Sequence, residues 1–308
     1  MTAALILLAY AVLLAVLGPR LMDRARWPVA LPRLAITTWF ALALSFVLAL
    51  VLAGAAIVHP TEAFAAGTVE DCVLALRELH GPIAGPIVAV VAVALTWALP
   101  MWIVFAGAVV ARSTAAERLR LRRALANAPH DRDLGAIVVE SACPAAYCIP
   151  GKGGLVAVTS GALELLDRPE LDAVLAHERA HLAGRHHLLV ALAQTGRRAF
   201  GRLPLFAHLP DRIGHLVELA ADDAAARSAS RSTLARSLLN VATAQTPVEA
   251  LAASGGDTVA RIERLLDAPA APGPAGVGTI LGGNAVAVSV PVLVLAAPVL
   301  TAVGFACC

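Results

Sequence analysis

Long apolar runs separated by short polar segments dominate the first third and the end of the chain. Four runs contain no charged residue, at about 2–17, 34–58, 82–111 and 276–305. Because a helix needs about 20 apolar residues to cross the hydrocarbon layer, each run predicts a membrane-spanning helix, although the first is short. The composition agrees, since 15% of the residues are charged against about 25% in soluble domains. The pattern therefore predicts a multi-pass membrane protein embedded in a lipid bilayer.

The placement of arginine predicts the orientation. The segment between the first two runs carries four arginines, whereas the loop 59–81 has Arg77 alone beside four acidic residues. Short loops rich in arginine stay in the cytoplasm. We therefore expect a bacterial cytoplasmic membrane protein whose 59–81 loop and both termini lie outside. The segment after residue 111, also rich in arginine, would return to the cytoplasm.

The segment 112–275 between the third and fourth runs is long enough for one small domain with its own core. Its patterns predict both strands and helices. We expect an arginine-rich helix at 112–126 along the membrane surface, strands at 135–141 and 155–160, a turn at 148–154, and helices at about 167–183, 211–228, 232–244 and 257–266. Residues 1–111 would hold three membrane helices, and 276–308 the fourth with a short tail.

Five cysteines fit this arrangement. Cys143 and Cys148 fall in the cytoplasmic segment, where we expect reduced thiols buried among apolar side chains. Cys72, Cys307 and Cys308 would lie outside, where a disulfide could join the loop to the tail. Because the number is odd, at least one thiol would stay unpaired or bind another chain.

Residues 174–187 read VLAHERAHLAGRHH, on a helix that Asp167, Pro169 and Glu170 are suited to begin. His177 and His181 are four residues apart and so share one helical face. This is the H-E-x-x-H pattern, in which two imidazoles bind Zn²⁺. Zinc lowers the pKa of a bound water to about 7, and the intervening Glu178 is placed to act as general base. The predicted reaction is hydrolysis of a peptide bond.

A third ligand is needed, and the sequence offers two. His187 completes H-E-x-x-H-x-x-G-x-x-H with Gly184, the metzincin spacing. However, all three methionines lie upstream of the motif, so no methionine turn can follow it. Apolar periodicity also continues beyond Gly184, which predicts an unbroken helix with His187 facing elsewhere. We therefore favour Glu218 on the next predicted helix, which gives the His₂Glu set of catalytic zinc.

Asp222 lies one helical turn beyond Glu218 and could accept the other N–H of a ligating histidine. On this assignment His186 and His187 are either solvated or supporting groups. His215, one turn before Glu218, is expected to have no role in the site.

Several segments together resemble the BlaR/MecR-type integral-membrane zinc metallopeptidases, which are gluzincins: HERAH, ELAAD, AAYCIPGKGGLVAVTSGALELL and RIERLL. The resemblance implies a mostly α membrane protein with a cytoplasmic α+β zincin-type metallopeptidase domain inserted between the third and fourth of four transmembrane helices. It implies His177, His181 and Glu218 as zinc ligands, Glu178 as general base and Asp222 as the carboxylate behind the ligands. It also implies a signalling protease that cleaves a cytoplasmic winged-helix repressor.

The chain departs from beta-lactam receptors of that family, because we expect no penicillin-binding sensor domain after the last span. A stimulus would then act through the loop 59–81, the membrane helices or a sensor partner. Two alternatives stay open: an HtpX-like quality-control protease, and a non-catalytic receptor clamped by zinc. The net charge of only +2 gives no case for direct binding of nucleic acid.

Overall fold

The computed structural model describes residues 2–58, 81, 83–151, 153–245 and 256–306. Most of these residues are helical, and a small sheet lies in the middle of the chain. The helices are α1 (Thr2–Arg24), α2 (Trp27–Ala30), α3 (Pro32–Val58), α4 (Ile83–Ala124), α5 (Ser160–Leu165), α6 (Arg168–Ala183), α7 (His186–Phe200), α8 (Pro204–Ala207), α9 (Leu209–Ala225), α10 (Arg231–Gln245), α11 (Gly256–Leu266) and α12 (Pro274–Ala306). The strands are β1 (His130–Asp131), β2 (Ala136–Val139), β3 (Ala146–Ile149) and β4 (Leu155–Thr159).

Among the described residues, four helices are long and apolar enough to cross a membrane, which confirms that part of the prediction. They are α1, α3, α4 and α12. The expected separate surface helix at 112–126 is wrong, because α4 continues without a break to Ala124. No proline or glycine interrupts the sequence between Gly107 and Ala124, and its alanines, leucines and arginines all favour a helix. The third membrane helix therefore extends beyond its apolar run.

Helix α12 is held against α1 and α3 by hydroxyl groups that share one carbonyl. The Ala287 carbonyl oxygen accepts from Tyr10 Oη at 2.8 Å and from Ser45 Oγ at 2.6 Å. In a regular helix the N–H four residues later would donate to this carbonyl, but that residue is Pro291, which has no N–H. Because an unsatisfied carbonyl in lipid is costly, the two hydroxyls compensate for the proline.

The sheet has the strand order β1-β2-β4-β3, with β2 and β4 parallel and the other pairs antiparallel. Strands β2 and β4 occupy the segments predicted as strands. The predicted turn 148–154 is wrong at its start, because Cys148 and Ile149 belong to β3. Strand β3 is only four residues long, and so short an apolar run does not show the alternation that identifies a strand. Strand β3 forms one edge of the sheet and contacts α6.

The segment 112–275 does not have a core wholly its own. One apolar cluster joins the sheet to α6 through side chains such as Val158 and Leu175. Another cluster runs from α1 and α3 into the second half of the segment, and includes Phe46, Phe206 and Ile213. Helix α9 is therefore packed directly on a membrane helix, and this contact fixes the position of the residues that α9 carries toward α6.

Candidate metal centre

Helix α6 begins with the predicted capping box. The Glu170 backbone N–H donates to Asp167 Oδ1 at 2.8 Å, and Glu170 Oε2 accepts from the Asp167 backbone N–H at 3.3 Å. Pro169 lies in the first turn. This fixed start places His177 and His181 on the face toward α9, with their Nε2 atoms 3.0 Å apart.

The prediction that this helix continues past Gly184 is wrong. Helix α6 ends at Ala183, Arg185 adopts a left-handed conformation with φ of 49°, and α7 starts at His186. A Cβ atom at Gly184 would lie 2.3 Å from His186 Nε2, so glycine there makes room for the His186 ring. The apolar periodicity beyond Gly184 belongs to a second helix, not to an extension of the first.

Glu218 completes a three-residue cluster with the two histidines. Its Oε2 lies 3.4 Å from His177 Nε2, and its Oε1 lies 3.3 Å from His181 Nε2. One donor atom from each of the three lies within 4.8 Å of the others. Two imidazoles and one carboxylate are the donor set of many catalytic zinc sites. The residues present therefore fit a zinc ion, and their role as ligands stays a prediction.

His187 is not part of this cluster as the described residues define it. It lines a neighbouring cavity together with Arg118 of α4. Of the two candidate third ligands, the structure brings Glu218 to the histidines and leaves His187 aside.

Asp222 and Arg261 form the next layer behind the cluster. The Asp222 side chain is fully buried, and its Oδ1 lies 3.0 Å from His177 Nδ1. Arg261 on α11 donates to both Asp222 oxygens, at 2.8 and 2.7 Å, and its Nη1 lies 2.9 Å from Glu218 Oε2. Sequence analysis assigned no role to Arg261, and the RIERLL segment was its only signal. One guanidinium thus contacts two carboxylates of the site.

His186 supports the second histidine. Its ring is buried, and its Nδ1 lies 2.9 Å from His181 Nδ1. Burial and the neighbouring His181 lower the pKa of His186 to about 4, so the ring is neutral and its Nδ1 can accept the Nδ1–H of His181. From the sequence, His186 could be either solvated or a partner of a metal ligand, and the structure places it beside His181. His215 lies apart from the cluster, 3.4 Å from Asp257.

The electrostatics favour charged carboxylates in the cluster. Burial alone would raise the pKa of Glu218, but His177, His181 and Arg261 hold it well below its usual range. Asp222 behaves in the same way, because Arg261 and His177 outweigh its burial and lower its pKa. Burial alone would lower the pKa of His177, yet Asp222 and Glu218 raise it to about 9.

Glu178 lies between the two histidines on α6, and its carboxylate interacts with the Cys148 thiol of β3. Burial raises the pKa of Glu178, and burial together with Glu178 raises the pKa of Cys148 to about 12. The expectation that both cysteines of this segment are buried is wrong for Cys143, which is exposed, and Cys148 is only half-buried. Cys72, Cys307, Cys308 and nearly all of the loop 59–81 lie outside the described residues.

A cavity of about 360 Å³ opens beside the cluster. His181 and Glu218 line it, as do Cys148 and Pro150 near the end of β3. The part of α4 that extends past its apolar run also lines the cavity, with Thr114, Glu117, Arg118 and Leu121. The third membrane helix therefore forms one side of the cleft that leads to the candidate metal centre.

Comparison with known proteins agrees with this arrangement. The chain is similar to a protein described as "Protease HtpX homolog" from Aquifex aeolicus (strain VF5), with 52% identity over 48 residues, which is 16% of this chain and 16% of that relative. No solved structure matches the chain. The sequence profile of peptidase family M48 matches residues 112–268, a range that holds the histidines, Glu178, Glu218, Asp222 and Arg261. Because that match covers half of the chain, the protein belongs to peptidase family M48.

Proposed function

We propose that this protein is an integral-membrane, zinc-dependent endopeptidase. The observation that carries the proposal is the convergence of His177, His181 and Glu218 within 4.8 Å of one another, beside a glutamate on the same helix. These three residues would hold the zinc ion. The bound ion would supply a Lewis acid for the carbonyl of the scissile peptide.

Glu178 would be the general base. Its carboxylate would take a proton from the attacking water and deliver it to the nitrogen of the leaving amine. Burial raises the pKa of Glu178, which brings its proton affinity closer to that needed for transfer near neutral pH. The neighbouring Cys148 thiol would help to hold this carboxylate in one orientation until water or substrate takes its place.

The substrate would bind as an extended strand. Strand β3 is at the edge of the sheet, so its outer backbone groups are free to pair with another strand. The strand contacts α6, and its Cys148 lines the cavity that also reaches His181 and Glu218. A peptide paired with β3 would pass this cluster with its backbone carbonyls in a fixed register. An extended backbone is required, so folded substrates would have to unfold locally.

For the topology we propose that 112–275 is the protease domain, inserted between the third and fourth membrane helices and facing the cytoplasm, with both termini outside. The arginine-rich connection between α1 and α3 and the arginines after residue 111 support this orientation. A protease-protection assay on inverted membrane vesicles would test it, because a cytoplasmic domain is then digested and a domain on the other side is protected.

We further propose a signalling role of the BlaR/MecR type, in which the substrate is a cytoplasmic winged-helix repressor. The support is the resemblance of four segments around the site, including HERAH and ELAAD. Co-expression with each candidate repressor, followed by immunoblotting, tests this role. Cleavage should disappear in Glu178→Gln and persist in Glu164→Gln, a matched change of an exposed glutamate on α5. Cleavage that survives Glu178→Gln would remove the basis for the role.

A second candidate is a broad-specificity protease for damaged membrane proteins, favoured by the similarity to an HtpX homologue. Quantitative proteomics of a deletion strain separates the two roles. One or two stabilised proteins favour signalling, whereas many stabilised membrane proteins favour quality control. Bound zinc without turnover of any substrate would instead favour the non-catalytic receptor.

A further inference from the structure

A second cavity lies next to the one that reaches the candidate metal centre. Its volume is about 370 Å³, and its lining comes from the turn after β3 and from the junction of α6 and α7, where Gly151 and Arg185 lie. Pro150, Leu182 and His187 line both cavities. The two cavities therefore adjoin, and together they extend from the histidine cluster past the end of β3.

Arg118 of α4 is held in place at the first cavity. The side chain is half-buried, and its Nε donates to the Thr114 carbonyl oxygen while its Nη2 donates to the Thr114 hydroxyl, both at 3.0 Å. Both acceptors are neutral. Glu117, the preceding residue, also lines the cavity but is exposed, and no carboxylate of the described residues forms an ion pair with Arg118. Its positive charge is therefore fixed in position without being neutralised.

Arg185 has an unusual backbone conformation at the second cavity. Among the residues that the structure describes, it is the single non-glycine residue with a positive φ, 49°. Glycine adopts this left-handed conformation readily, whereas residues with a Cβ atom do so at a cost. The Arg185 side chain is exposed, and no described carboxylate forms an ion pair with it. An arginine at a position that favours glycine indicates a role for its side chain.

His187 links the two arginines. It lines both cavities, and burial, Arg118 and Arg185 together lower its pKa. Its ring is therefore neutral at neutral pH and can donate one N–H. Other arginines on the surface are also exposed, but these two line adjoining cavities and act on the same histidine. The part of the cleft beyond the candidate metal centre thus combines two unpaired cations with a neutral hydrogen-bond donor.

We propose that Arg118 and Arg185 form a subsite that binds a carboxylate of the substrate, supplied by an aspartate, a glutamate or a free chain end. The inference rests on the proposed function, because it names the substrate class of that same site. A guanidinium binds a carboxylate through two parallel hydrogen bonds, which makes arginine well suited to this selection. Arg118 lines the same cavity as Glu218, and an extended chain advances about 3.3 Å per residue. The carboxylate would therefore lie only a few residues from the scissile bond.

The test measures binding without turnover. The full chain carrying Glu178→Gln is loaded with zinc in nanodiscs of phosphatidylcholine and mixed with synthetic peptides whose ends are acetylated and amidated. Mass spectrometry of the captured peptides gives the ratio of acidic peptides to their asparagine and glutamine counterparts. We expect this ratio to be about 10 or more, because hydrogen bonds to charged groups are strong, and to fall with added salt. Adding Arg118→Gln and Arg185→Gln should bring the ratio close to one.

Matched variants separate the subsite from general charge. The pair Arg120→Gln, Arg132→Gln removes two exposed charges elsewhere and should keep the ratio. The pair Arg118→Lys, Arg185→Lys keeps the charge and should retain part of the preference, which guards against a glutamine variant that fails to fold. Peptides with a free carboxyl end, compared with their amidated forms, show whether the subsite takes a chain end or an internal acidic side chain.

Measurement with a chelator excludes capture of acidic peptides by the zinc ion itself. A preference that persists without zinc supports the arginine subsite, and one that disappears with the metal would overturn it. No preference for a carboxylate in the zinc-loaded protein, or equal ratios for the glutamine pair and its control, would overturn it as well. Capture of acidic peptides by a wild-type protein that cleaves none would support the subsite and refute the peptidase, whereas cleavage without any such preference would refute the subsite alone.

Discussion

Arg261 meets Asp222 side by side, with Nε donating to Oδ2 at 2.8 Å and Nη2 to Oδ1 at 2.7 Å. The same Oδ1 lies 3.0 Å from His177 Nδ1. Because Asp222 is fully buried, its charge needs this guanidinium, and the pair together fixes the ring of His177. Arg261 belongs to α11, which precedes the last membrane helix. Contacts thus join α11 with the candidate metal centre.

We predict that Arg261→Met lowers zinc affinity by about 10- to 100-fold, the usual effect of losing a group that orients a metal ligand. It should also lower the free energy of unfolding by about 3–5 kcal/mol, because it leaves the buried Asp222 charge unpaired. Competition with a metal chelator measures the affinity, and thermal unfolding measures the stability.

Arg261→Lys is the matched control for charge. Lysine keeps the positive charge but cannot donate to both oxygens through a planar fork, so its zinc affinity should be intermediate. If Arg261→Met bound zinc as tightly as the wild type, Asp222 would not be orienting His177 through this pair.

Glu218→Ala removes one of the three candidate ligands, whereas His187→Ala removes the alternative that the sequence allowed. Zinc affinity should fall in Glu218→Ala by more than the 10- to 100-fold expected for an outer group, and should be unchanged in His187→Ala. Metal content by mass spectrometry after dialysis gives the result. The reverse ranking of the two variants would point to the metzincin arrangement.

His186→Ala should weaken zinc binding by about 10- to 100-fold, because the Nδ1–H of His181 loses its acceptor at 2.9 Å. His215→Ala is the control, since His215 faces Asp257 and not the cluster. The measurement is again competition with a chelator, and it does not require turnover. Equal affinities of the two variants would show that His186 is only a packing residue.

Cys143 and Cys148 should differ in how fast they react with an alkylating reagent. The pKa of Cys148 is raised to about 12, so at a pH of about 8 nearly all of its thiol is protonated and unreactive. As long as the pH stays below that pKa, the alkylation rate of Cys148 should increase about tenfold for each unit by which the pH is raised. Peptide mapping of chelator-treated protein should therefore show Cys143, which is exposed, modified long before Cys148.

Glu178→Gln should speed the alkylation of Cys148, because it removes the negative charge that helps to raise the thiol pKa. Glu164→Gln on α5 should leave the rate unchanged. A Cys148 as reactive as Cys143 in the wild type would contradict the burial and the contact with Glu178.

The hydroxyl pair at Ala287 gives a prediction for the membrane helices. The double variant Tyr10→Phe, Ser45→Ala should lower the free energy of unfolding by about 1–3 kcal/mol, because the Ala287 carbonyl loses both donors. Adding Pro291→Ala restores a helical N–H for that carbonyl and should recover much of the loss. Unfolding in mixed detergent measures all variants. A double variant as stable as the wild type would show that the carbonyl finds another donor.

The sequence predicted features that depend on residues close together in the chain. The capping box of Asp167 and Glu170 and the four apolar helices are confirmed, and the structure brings the favoured trio of His177, His181 and Glu218 together. These predictions succeed because a capping box involves residues three apart in the chain, and a membrane helix is recognised from the length of one apolar run. The zinc role of the trio stays a prediction, as do the orientation in the membrane and the domain limits.

How distant segments meet is seen in the tertiary structure alone. It ended α6 at Gly184 so that His186 could approach His181, extended α4 past its apolar run to form a wall of the cleft, and brought Arg261 to Asp222 across 39 positions of the chain. Local periodicity carries no information about such pairs, because they depend on how α6, α9 and α11 pack against one another and against α3. The sequence thus determined which chemical groups are available, and packing decided which of them act together.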